Sequence, residues 1–494
     1  MQFSKLVAAA LCAAIPALFS HAYAQATDST SAPALTIDQA VTLAVRHNPA
    51  HLSVVNDRSS ATALRKAAYG ALIPRLDAFM QSTYTKAGQA PVSAVQFAQS
   101  SDVYQSFYQV GFTYNLNWAT LIGPKRQNAN VRAAEADITG SQINVQTTVT
   151  QDYLTVLQDQ AKVILQDTLI AQAQLQLDLA KAKVAVGSGT QLDVSKAQVT
   201  LGQAQVAAIQ ARNQVDVDKL RLFQEMGVPE PQNVQLTSQF TVEPPKFTLD
   251  SVLALARMQN PTLNALKVRS EVASLDVSSA RSTYFPTLQL TTGVQGFTQR
   301  LSNPASLLSG PTQNVASCFT EDSIRVGSGL SSISGTCQQL QANVPQNVAQ
   351  IRAENNRFPF NFTQQPLSVS ATLSLPIFNN FQREQQVEQA QATRNDADYR
   401  AKAQELQLTA DVTAAYLTLQ AQVQTVALQE QNAAQARQQL DLAEVKYKAG
   451  AATYLDISDA QATFSTAENG RINAIYQYHK AFAALEGAVG HPLR

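Results

Sequence analysis

The sequence predicts a mixed fold, a membrane β-barrel continued by long α-helical coiled-coil hairpins, built twice over in one chain. Three observations predict it. Residues 440–461 repeat residues 177–198, with twelve of twenty-two positions identical at a spacing of 263. Apolar residues recur every seven positions through the helical part of each half. Four runs of about ten residues alternate apolar with polar, the pattern of strands with one face in lipid and one toward a lumen.

The chain opens with Lys5, an apolar run over residues 6–19 and the small-x-small sequence Ala22-Tyr23-Ala24. That pattern reads as a secretory leader over residues 1–24. Cys12 lies inside the apolar run and not at the cleavage point, which argues against a lipid-anchored N-terminus. No later stretch is apolar for long enough to span a bilayer as a helix. Lys+Arg and Asp+Glu balance at 36 each, which gives no electrostatic case for nucleic acid as a partner.

Two starts and two ends define the repeats. Thr36 to Asn48-Pro49 matches Thr248 to Asn260-Pro261 at a spacing of 212, and Pro74 and Pro286 keep that spacing. Gly227-Val228-Pro229 matches Gly490-His491-Pro492 at 263. The second half therefore carries about fifty extra residues between its Pro286 and its tip. The boundaries are 25–235 for the first repeat, 236–247 for a linker holding Pro244-Pro245, and 248–494 for the second repeat.

After each shared proline the period changes to two. Tyr108, Val110, Phe112, Tyr114, Leu116 and Trp118 alternate with polar residues, as do Leu367, Val369, Ala371, Leu373, Leu375 and Ile377. Residues 72–84 and 287–297 are weaker versions. Four strands cannot close a barrel, for which about eight are needed, and open edges are not tolerated in lipid. The chain is therefore expected to form a homotrimer with twelve strands. Half-buried hairpins of a soluble protein are the alternative.

From Pro124 the pattern is helical. Val149, Val156, Val163, Ile170, Leu177 and Val184 mark one seam, and Val412, Leu419, Val426, Ala433, Leu440 and Tyr447 mark the other 263 residues later. A helix of about sixty residues reaches roughly 90 Å. The helical segments over 48–71 and 192–226, stacked end to end, nearly match it. Each long helix breaks at Gly187 or Gly450, where a left-handed residue ends a helix, and Thr190 or Thr453 caps the next. Each break is thus the tip of a helical hairpin.

The loop over 85–106 reads as ordinary. The loop over 298–366, rich in Ser, Gln, Asn and Pro, reads as a long variable surface loop and holds Cys318 and Cys337. In an exported chain these are expected to form a disulfide, and no histidine lies near them to suggest zinc. His47, His51, His479 and His491 have no ligand spacing, and no nucleophile–base pattern or phosphate-binding loop is found. The chain is expected not to be an enzyme and to need no cofactor or metal.

A duplicated strand pair with long hairpins and two Gly-x-x-Thr-x-Leu-Asp tips resembles the TolC family of outer-membrane efflux proteins. The resemblance covers nearly the whole mature chain. It implies a twelve-strand barrel in outer-membrane lipid and a twelve-helix tunnel through the periplasm. It also implies service as the exit duct for an inner-membrane transporter, reached through a periplasmic adaptor, with small molecules or drugs as cargo. The family's entrance is ringed by aspartate on the second tip, and Asp456 and Asp459 occupy those positions. Three apart on a helix, both can face one side, and in a trimer six carboxylates would raise one another's pKa values and attract cations. Asp456 as a helix-start charge and Asp459 as a solvated residue is the competing reading.

The resemblance further assigns a gate lock to Tyr447 and Asp193, while the family's arginine is Ala452 here. Tyr447 also lies on the heptad seam, so packing competes with gating. Adaptor docking would fall on Val186, Gly187, Ala449 and Gly450, though helix termination alone also explains both glycines. A type I protein-secretion duct shares all these features. A trimeric coiled-coil surface adhesin or spacer would lack the duplication and the alternating strands.

Overall fold

A computed structural model describes residues 34–493 except 93, 94, 100, 232, 233, 239 and 364; the leader and Cys12 lie outside the described residues. In chain order the elements are β1 (Ala34–Leu35), α1 (Ile37–His47), α2 (Pro49–Gly70), β2 (Arg75–Thr85), β3 (Gly88–Val92), β4 (Val95–Gln99), β5 (Val103–Leu116), α3 (Trp118–Ala185) and α4 (Gln191–Met226). Then follow β6 (Gln235–Leu236), α5 (Leu249–Gln259), α6 (Pro261–Arg281), β7 (Thr287–Leu301), α7 (Ala305–Gly327), α8 (Ser334–Asn355), β8 (Ser368–Ser374), α9 (Gln382–Lys448) and α10 (Tyr454–Val489).

The shared Asn-Pro motif has a double use. Asn48 caps α2 by accepting from His51 N–H at 2.9 Å, with Pro49 at the first helical position. Its amide also donates to the carbonyl of Glu225, 2.7 Å away, near the end of α4. Asn260 repeats both contacts, capping α6 and donating to Ala488 at 3.0 Å. So α4 ends against the start of α2, and the two together run beside α3. Gly227 closes that junction: it has φ +69°, and a Cβ there would lie 2.4 Å from the carbonyl oxygen of His47. The repeated glycine and the repeated Asn-Pro are two sides of one joint.

The heptads form the packing seams, with a drift. In α9 all six heptad residues, from Val412 to Tyr447, are buried. In α3 Val149, Val156 and Leu177 are buried, but Val163, Ile170 and Val184 are only half-buried, and Leu165 and Leu169 take the core places. A straight helix at 3.6 residues per turn drifts off a seven-residue repeat, and α3 shows that drift where α9 keeps its seam in place. Burying each such Val or Leu contributes roughly 1.5–3 kcal/mol. Helix α3 also starts six residues before Pro124, at Trp118, because Asn117 caps it by accepting from Thr120 N–H at 2.8 Å.

The four alternating runs form one antiparallel sheet in the order β2-β5-β7-β8. Their register puts Leu76, Ala78 and Met80 beside Phe112, Val110 and Tyr108, then Val294 and Leu290, then Ala371, on one face. Ser, Thr and Gln dominate the other face, with Phe79, Phe107 and Phe297 as an aromatic exception and Val103 beside Leu301 as an aliphatic one. Val369 and Leu373 on the apolar face are 75% and 70% exposed.

Two loop readings need correction. Most of 298–366 is an α7–α8 hairpin, joined by a Cys318–Cys337 disulfide with Cα atoms 5.6 Å apart. Asp322 organises its tip, accepting from Ile333 N–H at 2.6 Å and from the Ser332 hydroxyl. The 85–106 connection contains the β3–β4 hairpin. The parallel pair β1–β6 was not anticipated either; two residues per strand carry no period.

Candidate channel entrance at the helical tips

At the first tip α3 ends at Ala185, Gly187 takes φ +74°, and Ser188 N–H returns to the carbonyl of Lys183 at 2.9 Å. At the second, α9 ends at Lys448, Gly450 takes φ +76°, and Ala451 N–H returns to Lys446 at 2.9 Å. Helix termination therefore explains both glycines. Val186, Gly187, Ala449 and Gly450 are all exposed at these turns.

Each second helix opens with a reciprocal cap. Asp456 accepts from the backbone N–H and hydroxyl of Thr453 at 2.7 and 2.8 Å, and Thr453 accepts from Asp456 N–H at 3.3 Å. Those donors hold the Asp456 carboxyl below the ordinary carboxylate range. Asp193 makes the same reciprocal cap with Thr190, accepting from its hydroxyl at 2.7 Å. Asp459, one turn on, is exposed, while Ile457 and Ala460 on the opposite side are buried. Within one chain the Asp456 pKa thus runs opposite to the upward shift expected of a carboxylate ring, because the hydrogen bonds from Thr453 are the largest influence on it.

Tyr447 is 4% exposed, and burial first, then the Asp193 charge, pushes its phenol pKa up. Among the described residues no hydrogen bond joins its hydroxyl to Asp193. Its principal partner is one that sequence reasoning missed. Lys183 of α3 lies 3.9 Å from the centre of the Tyr447 ring and donates to the Tyr447 carbonyl. Tyr454 meets the same ring edge-on at 6.3 Å and donates to the Thr200 hydroxyl at 3.2 Å. The two hairpin tips are therefore tied together through Lys183–Tyr447 and Thr200–Tyr454. Ala452 packs at the edge of the adjoining apolar cluster.

Among the described residues no group of His, Cys, Asp and Glu side chains converges as a metal site would require. No described helix is long and apolar enough to cross a membrane.

The family description "outer membrane efflux protein" matches residues 41–228 and 252–491, one stretch in each repeat. The chain belongs to the outer membrane efflux protein family. This efflux-family chain is placed in the outer membrane with its helical part in the periplasm. It is 23% identical over 317 residues to outer membrane protein TolC of Escherichia coli (strain K12), covering 64% of this chain and 55% of that relative. The match thus spans about half the length of the relative. In fold, the efflux-family chain is similar to the outer-membrane channel OprN, with TM-score 0.70, 15% identity, and 92% and 90% of the two chains covered. It is also similar to the outer membrane protein VceC of Vibrio cholerae, with TM-score 0.67, 16% identity, and 93% and 97% covered.

Proposed function

We propose that three copies of the chain close a twelve-strand barrel continued by a twelve-helix tunnel, and that this channel-tunnel is an efflux duct. The observation that carries the reading is the four-stranded sheet with one apolar face and two edges, β2 and β8, that carry no further strand among the described residues. An apolar face that wide needs lipid, and edges in lipid need partners.

In this reading the tips are the periplasmic entrance. Asp456 and Asp459 project from the start of α10 and ring the axis, drawing in cations. Tyr447 and Asp193 hold the resting entrance narrow. Val186, Gly187, Ala449 and Gly450 receive a periplasmic adaptor, which connects the duct to an inner-membrane transporter of small molecules. Gly187, Ala449 and Gly450, small and exposed at the two turns, support that docking, since they allow close backbone approach. The duct performs no chemistry; it supplies a polar path lined by the Ser, Thr and Gln face of the sheet.

The test is to measure the mass of the purified full chain in detergent and then record from it in a planar bilayer. A three-chain particle with a discrete conductance supports the reading. A monomer contradicts it, as does a trimer that stays silent even as Asp456→Ala/Asp459→Ala.

A further inference from the structure

The two repeats are equivalent element by element, yet their helices do not have equivalent neighbours. Helix α3 packs against α2 and α4 of its own repeat and against α6 and α10 of the other. Its counterpart α9 packs against α6 and α10 of its own repeat and has no such pair on its far side among the described residues. The sheet repeats the asymmetry: β5 has two partner strands and β8 has one. The places empty on α9 and β8 are those that the first repeat's α2, α4 and β2 would fill.

The register can be carried across. Moving 212 residues takes α2 to α6, and moving 263 takes α3 to α9. Arg58 of α2 contacts Glu135 of α3 at 3.0 Å. The same steps lead to Ser270 and Asp398, and those two side chains are hydrogen-bonded to each other. The offsets therefore predict a contact that the chain makes.

Applied to the joint between repeats, they predict one that a single chain cannot make. Three ion pairs tie α3 to α6: Arg126–Asp276, Arg132–Glu271 and Asp137–Arg269. The first two map to uncharged pairs. The third maps to Arg400 on α9 and Asp57 on α2, the same pair with its charges exchanged. Both residues are exposed, and among the described residues neither has an ion-pair partner within the chain.

We infer that the far side of α9 is the docking surface for α2 of a second copy of this chain, with Arg400 paired to Asp57 across the junction. This rests on the proposed oligomeric duct and specifies its register. A one-turn slip along the helices would separate the two charges by about 5 Å, so the pair reports register as well as contact.

The test joins cysteines placed at Asp57 and Arg400 with a short bismaleimide in the purified full-length assembly. The native Cys318 and Cys337 are bonded to each other and do not compete. The expected result is conversion of most chains to covalent dimers and trimers with the double-cysteine chain, and a loss of those products with either single one. Reversals give a second readout: Asp57→Arg or Arg400→Asp lowers the dissociation temperature of the assembly, and the two together restore it. A three-chain particle with no cross-linking between copies and no restoration overturns this register while leaving the duct standing. A wild-type chain that is monomeric by mass overturns both.

Discussion

Lys183 and Tyr447 lie 264 positions apart in the chain, yet the ammonium sits 3.9 Å above the phenol ring. The contact joins the last turn of α3 to the last turn of α9, so a single cation ties the two hairpins at their tips. A cation over a ring contributes about 0.5–1 kcal/mol when exposed and about 2 kcal/mol when desolvated, and the buried Tyr447 ring with its half-buried lysine lies between the two.

Lys183→Met is expected to free the tips while leaving the fold intact, because Lys183 lies outside the buried core. Spin labels at Ser188 and Ala451 should show a broader and longer distance distribution in the variant. Lys183→Arg, which keeps a cation, should preserve the narrow one. An unchanged distribution in Lys183→Met would mean that the seam alone sets the tip spacing.

Asn48→Ala removes a helix cap and the tie to Glu225 together. Loss of a cap costs about 1 kcal/mol, and the part-buried Glu225 carbonyl left without its donor adds to it. We expect a destabilisation of about 1–3 kcal/mol by reversible chemical denaturation, and a similar loss for Asn260→Ala. A change below about 0.5 kcal/mol, the usual range of a neutral surface substitution, would show that the Asn-Pro joint carries no load.

The cap at the second tip should be acid-labile. The folded Asp456 pKa is depressed by Thr453, so its contribution is present above the unfolded carboxylate pKa of about 3.9 and is lost as pH falls through the lower folded value. A mobility probe at Ala451 should report loosening only below the ordinary carboxylate range. In Asp456→Asn that acid step should vanish. A step that persists in Asp456→Asn would move the titration to another group.

Reduction of Cys318–Cys337 is expected to open the α7–α8 hairpin without dissolving the remainder. Trypsin should then cut at Arg325 and Arg352 at least several-fold faster, with cleavage elsewhere unchanged. Uniformly faster cleavage would mean that the hairpin braces the whole fold. By the loop-entropy account a disulfide closing about twenty residues constrains the open chain by roughly 3 kcal/mol.

What could be read from the sequence was whatever repeats or alternates. Heptads placed the seam of α9 residue for residue, and period-two alternation placed four strands that share one sheet. Hidden features depend on tertiary approach or lack a period. Helices α7 and α8 carry internal Pro311 and Pro345 and no seven-residue seam, so they look like a loop until the disulfide draws them together. Lys183 stands one turn before Gly187 like any solvated lysine, and only the neighbouring hairpin gives it a ring to cover. Asp456 was legible both as an entrance carboxylate and as a capping residue. Its bonds to Thr453 realise the second reading and leave the first to experiment.

The most direct measurement is of cation block in a planar bilayer, comparing the wild-type chain with Asp456→Ala/Asp459→Ala. The account predicts a small, cation-selective conductance that divalent or trivalent cations block from the side carrying the tips. It predicts a larger conductance and weaker block in the double variant. Equal block in both proteins would contradict an entrance made by these carboxylates.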